Sequence, residues 1–151
     1  MNCADRYLEI RSNIPESVTL LAVSKTWPKE DIMLVYDAGC RDFGENKVQE
    51  MADKHGCLPQ DIRWHQIGHL QTNKVKYIAG WVYMIHSVDS LKLAAEISKQ
   101  AAKHSRIVNC LLQVKVAEED TKSGFNPDEL KQLLASGAFS EFSNIKLCGL
   151  M

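Results

Sequence analysis

The first strongly apolar run of this chain is Thr19-Leu20-Leu21-Ala22-Val23-Ser24-Lys25-Thr26. Aliphatic and β-branched residues in such a run are typical of a buried strand, and here the run stops at a lysine. Pro28 follows closely and favours the first turn of a helix. We therefore predict a strand over residues 20–25 and a helix over residues 28–38. Lys25 then lies at the carboxyl end of the strand, where alternating β/α folds carry their chemistry.

Two interpretations of Lys25 follow from this position. A lysine that is partly desolvated by apolar neighbours loses its proton near neutral pH and can attack a carbonyl carbon. The alternative is a surface lysine that marks the end of a strand, because most lysines are exposed. The segment by itself favours the surface lysine, so the choice depends on what the rest of the chain contains.

The rest of the chain alternates helices and strands, which indicates a parallel sheet joined by crossover helices. Further helices are predicted over residues 3–12, 47–55, 71–79 and 90–103, with one more starting at Asn126-Pro127. Further strands are predicted over residues 41–44, 63–67, 82–86, 108–116 and 144–151. The residues expected to face inward on the last two helices are Leu93 or Ala94, Ile97 and Ala101, and then Leu130, Leu133 and Leu134.

Two architectures share this alternation, the open doubly wound sheet and the closed (β/α)8 barrel. A complete barrel needs eight units and usually about 250 residues, whereas this chain has 151 residues and about six β/α units by the pattern. Its last apolar strand, over residues 147–151, is followed by no covering helix. We therefore expect residues 1–151 to form a single domain that is incomplete at its C-terminus.

Composition narrows the class of function. A net charge of −1 argues against a nucleic-acid or membrane-surface partner, and no apolar run approaches a membrane span. The N-terminus lacks the order of a signal peptide. The five cysteines are odd in number and scattered, which is typical of reduced thiols in a cytoplasmic protein and argues against a zinc site. They are Cys3, Cys40, Cys57, Cys110 and Cys148, of which the last two fall in strand-like runs and are expected to be packed.

Polar clusters follow the predicted strands. In Phe43-Gly44-Glu45-Asn46, Asn46 can hydrogen-bond a ligand, while the alternative is that Glu45 and Asn46 cap the next helix. In the segment from His65 to Lys74, His65 and His69 have the spacing of a zinc-binding HExxH pattern, but Gln66 replaces the glutamate and the segment leaves a strand. We therefore interpret His65 as a packed residue beneath a ligand ring, and Gly68 as a turn.

Two further clusters follow the fourth and fifth predicted strands. The first is His86-Ser87-Val88-Asp89-Ser90, in which Asp89 or Ser90 suits a helix cap. The second is Lys122-Ser123-Gly124-Phe125, whose basic group and glycine suit either an anion or a simple chain turn. The sequence contains no P-loop, GxGxxG or GxSxG motif and no recognisable pair of catalytic carboxylates.

Taken in order along the chain, these motifs resemble one family. They are residues 22–26, 43–46 with 48–50, 64–74, 86–89, 122–125 and 147–151, and they resemble the pyridoxal phosphate homeostasis proteins of the YggS/PROSC type. That family is related in fold to the barrel domain of alanine racemase. Each motif is weak alone, but six in the same order span nearly the whole chain.

The resemblance implies a (β/α)8 barrel, here truncated after about six units, and a Schiff base between Lys25 and pyridoxal 5′-phosphate. It places the cofactor at the barrel mouth close to Asn46 and His65, and Gly68 and Ser87 complete the expected cofactor-binding set. The family buffers the cofactor and delivers it to pyridoxal phosphate-dependent client enzymes, with no established turnover of a substrate. Its members continue beyond the Gly-Leu-Met strand with the segments that hold the phosphate.

Two enzyme classes remain as alternatives. An amino-acid racemase needs a base on each face of the cofactor, and in racemases the second base is a tyrosine brought by an additional β domain and a dimer partner. A Schiff-base aldolase shares the strand-end lysine, which usually lies on a later strand and beside an acid–base partner. Neither requirement is visible in this sequence, so we expect a non-catalytic carrier.

Overall fold

A computed structural model describes residues 1–116 and 123–151 of the chain. The helices are α1 (Cys3–Ser12), α2 (Lys29–Asp37), α3 (Val48–His55), α4 (Leu91–Lys103) and α5 (Pro127–Ala135), and a 3₁₀ helix spans Thr72–Tyr77. The strands are β1 (Ala22–Val23), β2 (Asp42–Glu45), β3 (Arg63–Gln66), β4 (Met84–Val88), β5 (Val108–Leu112) and β6 (Ile145–Leu150).

All six strands pair in parallel, and their order across the sheet is the same as their order in the chain. A doubly wound sheet reverses its strand order at a switch point, whereas a β/α barrel adds each strand beside the previous one. The observed order is therefore that of successive barrel strands.

The core lies between the sheet and its helices. In the register of the sheet, Phe43 lies opposite Trp64, and Ile85 lies opposite Cys110. All four residues are buried on the helix-facing side of the sheet. From the other layer, α4 contributes four buried apolar residues, which confirms the predicted inward face of that helix. These residues are Leu93, Ala94, Ile97 and Ala101.

Helix starts follow the expected capping chemistry. The Ser90 hydroxyl accepts a hydrogen bond from the Leu93 amide at 3.1 Å, and the Asn126 side chain accepts from the amides of Asp128 and Glu129. In contrast, α3 begins at Val48, and the residue before it, Lys47, makes no capping hydrogen bond with its side chain. The interpretation of Glu45 and Asn46 as caps of this helix is therefore wrong.

The helix predicted over residues 71–79 is instead the 3₁₀ helix Thr72–Tyr77. Its buried residue Val75 and the buried Ile78 directly after it are three positions apart, which matches the three-residue repeat of a 3₁₀ turn. Strand β1 is also shorter than predicted, because among the described strands it pairs with β2 alone and Val23 is exposed.

Three other expectations change at the level of single residues. Strand β4 extends to Val88, so Ser87 lies within the strand and not after it. In α5 only Leu130 is buried, and Leu134 is exposed, because only one turn of the apolar face of this helix packs against the sheet. Cys110 is buried as expected, but Cys148 is exposed, because it lies on the opposite side of β6 from the half-buried Leu147. Within the described residues, no helix is long and apolar enough to span a membrane.

Candidate functional site

The side chains predicted for the site follow three neighbouring strands at one edge of the sheet. Lys25 comes two residues after the end of β1, Asn46 directly after β2, and Gly68 two residues after β3. Because the strands are parallel neighbours, their carboxyl ends share this edge. The structure therefore brings the three residues to the same mouth of the sheet.

Lys25 is exposed in a turn, and its ammonium group has no hydrogen-bond or ion-pair partner among the described residues. Of the two interpretations of Lys25, its environment matches the exposed lysine at a strand end, because the strand ends before it and the residue lies in a turn. Ser24, the residue before it, still extends the β ladder through a 2.9 Å hydrogen bond from its amide to the Gly44 carbonyl. Thr26, the residue after it, has φ +66°.

Gly68 is in direct contact with Asn46. A Cβ built on Gly68 would lie 2.6 Å from the Asn46 carbonyl oxygen and 2.8 Å from its Cα. The Gln66 side-chain amide joins the two loops, because it donates to the carbonyls of Asn46 at 2.8 Å and Gly68 at 3.2 Å. The absence of a side chain at Gly68 thus lets the loop after β3 lie against the loop after β2.

His65 is buried and takes part in a polar cluster inside the sheet. Its Nε2 lies 3.0 Å from Asp42 Oδ1, and its Nδ1 lies 2.8 Å from Nε2 of His86. Arg63 donates two hydrogen bonds to the Asp42 carboxylate, at 2.8 and 2.7 Å. Since Asp42 and Arg63 are the first residues of their strands, the cluster extends toward the amino ends.

The electrostatics of this cluster favour an ionised Asp42 and a neutral His86. Burial alone would raise the pKa of Asp42, but hydrogen bonds from His65 and Arg63 lower that pKa well below its usual range. Burial, with a smaller contribution from His65, lowers the pKa of His86 to about 4. An ionised Asp42 only accepts hydrogen bonds, so His65 Nε2 donates to it.

A second buried cluster lies under the Lys25 turn. The ammonium of Lys54 donates to Glu45 Oε1 at 2.6 Å, to Glu50 Oε1 at 2.8 Å and to the Ser24 carbonyl at 2.8 Å. Glu50 Oε1 also accepts the Thr26 amide hydrogen at 2.6 Å. The cluster therefore joins the end of β2, helix α3 and the turn that follows β1.

Comparison with known proteins assigns the fold to a family. A sequence profile of the alanine racemase N-terminal domain matches residues 2–151. The chain belongs to the alanine racemase N-terminal domain family.

Three individual proteins illustrate the similarity within and around this family. The pyridoxal phosphate homeostasis protein of Aquifex aeolicus is 46% identical over 133 residues, which cover 87% of this chain and 58% of the relative. PipY of Synechococcus elongatus, solved with PLP bound, superposes with a TM-score of 0.88 at 38% identity, over 98% of this chain and 68% of PipY. An alanine racemase of Clostridium difficile superposes with a TM-score of 0.78 at 14% identity, over 97% of this chain and 39% of the racemase.

These comparisons confirm the predicted family and barrel type. The racemase identity is low, so that superposition shows a shared fold and nothing more. The chain spans 58% of the length of the Aquifex relative.

The remaining predicted site residues are distributed as follows in this member of the family. Ser87 is buried within β4, and its hydroxyl has no hydrogen-bond partner among the described residues. Lys122 lies outside the described residues. Gly124 has φ +139°, and a Cβ there would lie 2.9 Å from the Lys115 amide nitrogen, so the glycine serves a close chain turn. No group of three or more His, Cys, Asp or Glu side chains within residues 1–116 and 123–151 is arranged to hold a metal ion.

Sequence reasoning missed Glu50, Lys54 and Asp42 as parts of the site region. A local signal exists for the first two, because a glutamate four residues before a lysine on a helix predicts an ion pair. It does not predict burial, and Lys54 is only 5% exposed. The contact between Asp42 and His65 has no local signal, because the two residues are 23 positions apart.

Proposed function

We propose that this protein carries pyridoxal 5′-phosphate as a Schiff base on Lys25 and takes part in the intracellular homeostasis of that cofactor. The observation that carries the proposal is an exposed primary amine, without a protein partner among the described residues, at the carboxyl edge of a family barrel sheet. Relatives of this chain carry the name pyridoxal phosphate homeostasis protein, and PipY has been solved with PLP bound.

The residues at this edge fit the cofactor. When bound, pyridoxal phosphate supplies an aldehyde that condenses with a primary amine, with loss of one water. Lys25 supplies the amine, and the half-buried Asn46 supplies an amide that can hydrogen-bond a ring substituent. Gly68 lets the loop after β3 pack directly against Asn46 and so fixes the position of that residue. We also propose that His65 on β3 and Ser87 on β4 belong to the cofactor-binding set.

The state of the two lysines near the mouth supports the choice of Lys25. Lys54 is buried, and its three ammonium hydrogens are all donated to Glu45, Glu50 and the Ser24 carbonyl. A lysine held in this way cannot reach a ligand without breaking buried contacts. Lys25 has no such contact with any residue in 1–116 or 123–151, so its amine is available to an aldehyde.

We infer a carrier and not a racemase. Racemisation requires a second base opposite the lysine. The hydroxyl of Tyr36 donates to Asp61 at 2.7 Å, and Tyr83 packs against His65 with ring centroids 5.2 Å apart. Both tyrosines lie near the amino ends of the strands, whereas Lys25 follows the carboxyl end of β1, so neither stands beside Lys25 as a second base.

The partners and location follow from this role. We propose that pyridoxal phosphate-dependent client enzymes receive the cofactor from Lys25 through exchange of the amine partner. We also propose a cytoplasmic location, where the five thiols of the sequence remain reduced.

The test is chemical trapping on the chain. Pyridoxal phosphate is added over a range of concentrations, the adduct is reduced with borohydride, and peptides are mapped by mass spectrometry. We expect Lys25 to be modified at the lowest concentrations, and Lys25→Ala to abolish this adduct. Lys99→Ala, which removes an exposed lysine of α4, serves as the control and should change nothing.

Two results would contradict the proposal. Modification that spreads over the exposed lysines without preference for Lys25 would refute the cofactor site. Racemisation of alanine that depends on Lys25 would refute the assignment as a carrier without turnover.

A further inference from the structure

The turn that presents Lys25 is held on both sides of the lysine by one buried cluster. On one side, the Ser24 hydroxyl donates to Glu45 Oε1 at 2.7 Å, and the Ser24 carbonyl accepts from Lys54. On the other side, the Thr26 amide donates to Glu50 Oε1 at 2.6 Å. Lys25 therefore lies between two anchored neighbours, and its own side chain makes no hydrogen bond within the part of the chain that the structure describes.

The conformation of Thr26 shows that the turn needs such an anchor. Its φ of +66° lies in the left-handed region, which β-branched residues rarely adopt. A backbone of this kind persists only where surrounding contacts fix it. The short hydrogen bond from the Thr26 amide to a carboxylate is the contact that the structure provides.

Glu45 and Glu50 make different contacts within the cluster. Glu45 is fully buried and pairs with Lys54 inside the core. Glu50 lies in the first turn of α3 with its side chain 26% exposed, and it alone of the two carboxylates accepts from the Thr26 amide. Lys54 donates to Glu50 across one helical turn and so fixes the direction of its carboxylate.

We propose that Glu50 is a positioning residue for the cofactor amine: through the Thr26 amide it holds the turn in the conformation that directs Lys25 to the mouth of the sheet. This inference rests on the proposed function, since it assumes that Lys25 is the residue that reacts with pyridoxal phosphate. It assigns to Glu50 no contact with the cofactor.

Two conservative variants distinguish the effect of the side-chain length of Glu50 from the effect of its charge. Glu50→Gln keeps an oxygen acceptor at the same distance and removes the charge, whereas Glu50→Asp keeps the charge and withdraws the acceptor by one methylene. We expect Glu50→Asp to slow the formation of the borohydride-trapped Lys25 adduct about tenfold, the scale of one hydrogen bond to a charged group. Glu50→Gln should remain within about threefold of the wild-type rate, because the acceptor is still in place.

The matched control is Asp53→Ala, on the exposed face of the same helix, where the Asp53 carboxylate accepts a hydrogen bond from the Gln49 side chain and, among the described residues, from no other group. It should leave the adduct rate unchanged. A second measurement is independent of the cofactor, namely the hydrogen-exchange rate of the Thr26 amide by NMR. That amide should exchange faster in Glu50→Asp than in the wild type and stay protected in Glu50→Gln.

The outcomes distinguish the two proposals. If the wild-type chain forms no preferred Lys25 adduct, the proposed function fails, while Thr26 exchange still tests the anchor. If the adduct forms and Glu50→Asp leaves both its rate and Thr26 exchange unchanged, the positioning role fails alone. If Glu50→Gln is slowed as much as Glu50→Asp, Glu50 acts through its charge on Lys25, and positioning is refuted.

Discussion

Replacement of Gly68 by alanine tests the contact on which the shape of the mouth depends. The added Cβ would lie 2.6 Å from the Asn46 carbonyl oxygen, 2.8 Å from its Cα and 3.0 Å from its Cβ. Two of these atoms belong to the backbone, so no rotation of a side chain relieves the contact. The loop after β2 and the loop after β3 must therefore move apart.

The size of the effect follows from this geometry. Insertion of one carbon into a packed site costs about 1–3 kcal/mol when the surrounding backbone has to shift. Two hydrogen bonds from the Gln66 amide also span the two loops, so their separation weakens those bonds as well. We therefore expect Gly68→Ala to lower the free energy of unfolding by about 2 kcal/mol, near the middle of that range.

Urea unfolding followed by circular dichroism measures this difference, and two other glycines calibrate it. At Gly44 the new Cβ would meet only side-chain atoms, of Ile67 at 3.1 Å and Leu21 at 3.2 Å, which can yield. At Gly56 the nearest atoms are 3.5 and 3.6 Å away, an ordinary contact at the end of α3. The expected order of destabilisation is Gly68→Ala, then Gly44→Ala, with Gly56→Ala neutral or stabilising by up to about 1 kcal/mol.

A Gly68→Ala chain as stable as Gly56→Ala would refute the reasoning, because the two loops would then not be in contact. A loss as large at Gly56 as at Gly68 would also refute it, since the effect would then reflect glycine in general and not this contact.

Three further predictions follow from other contacts. Lys54→Met leaves the carboxylate of Glu45 buried without its cationic partner, and should lower the free energy of unfolding by about 3–5 kcal/mol in urea titrations; a neutral result would mean that this ion pair does not stabilise the fold. The pKa of His86 is lowered from 6.5 to about 4, so the unfolded chain binds a proton in this interval that the folded chain does not. The free energy of unfolding should therefore fall as the pH drops from 6.5 towards 4. His86→Gln should weaken the dependence of the urea midpoint on pH in this interval, and an unchanged dependence would exclude His86 as its source. Asn126→Ala removes the cap of α5 and should cost about 1 kcal/mol in thermal unfolding, whereas an unchanged midpoint would show that the cap adds nothing.

Much of the fold is predictable from local sequence patterns. The alternation of strand and helix depends on periodicity within about ten residues, and so do the inward positions Ile97 and Ala101. The order of the strands is different, because it depends on pairing between segments that sequence patterns do not connect. The observed strand order distinguishes the barrel from the doubly wound sheet, and the family resemblance also favours the barrel.

The candidate site also combines features that local sequence patterns predict with features that depend on distant residues. Lys25, Asn46 and Gly68 share an edge because parallel strands end together, which a sequence pattern can predict. The direction of a side chain is not predictable in this way. The orientation of His65 depends on Asp42 and His86, which are 23 and 21 residues away.

The identity between strand order and chain order has a consequence for how the sheet assembles. Each strand after β1 pairs with the strand made immediately before it, so every pairing closes only a short loop. Pairings of short sequence separation form faster than distant ones, because less chain entropy is lost on closure. During synthesis the sheet can therefore grow one strand at a time from its N-terminal edge. The anchored turn around Lys25 needs only residues up to Lys54, so it can form while most of the sheet is still unmade.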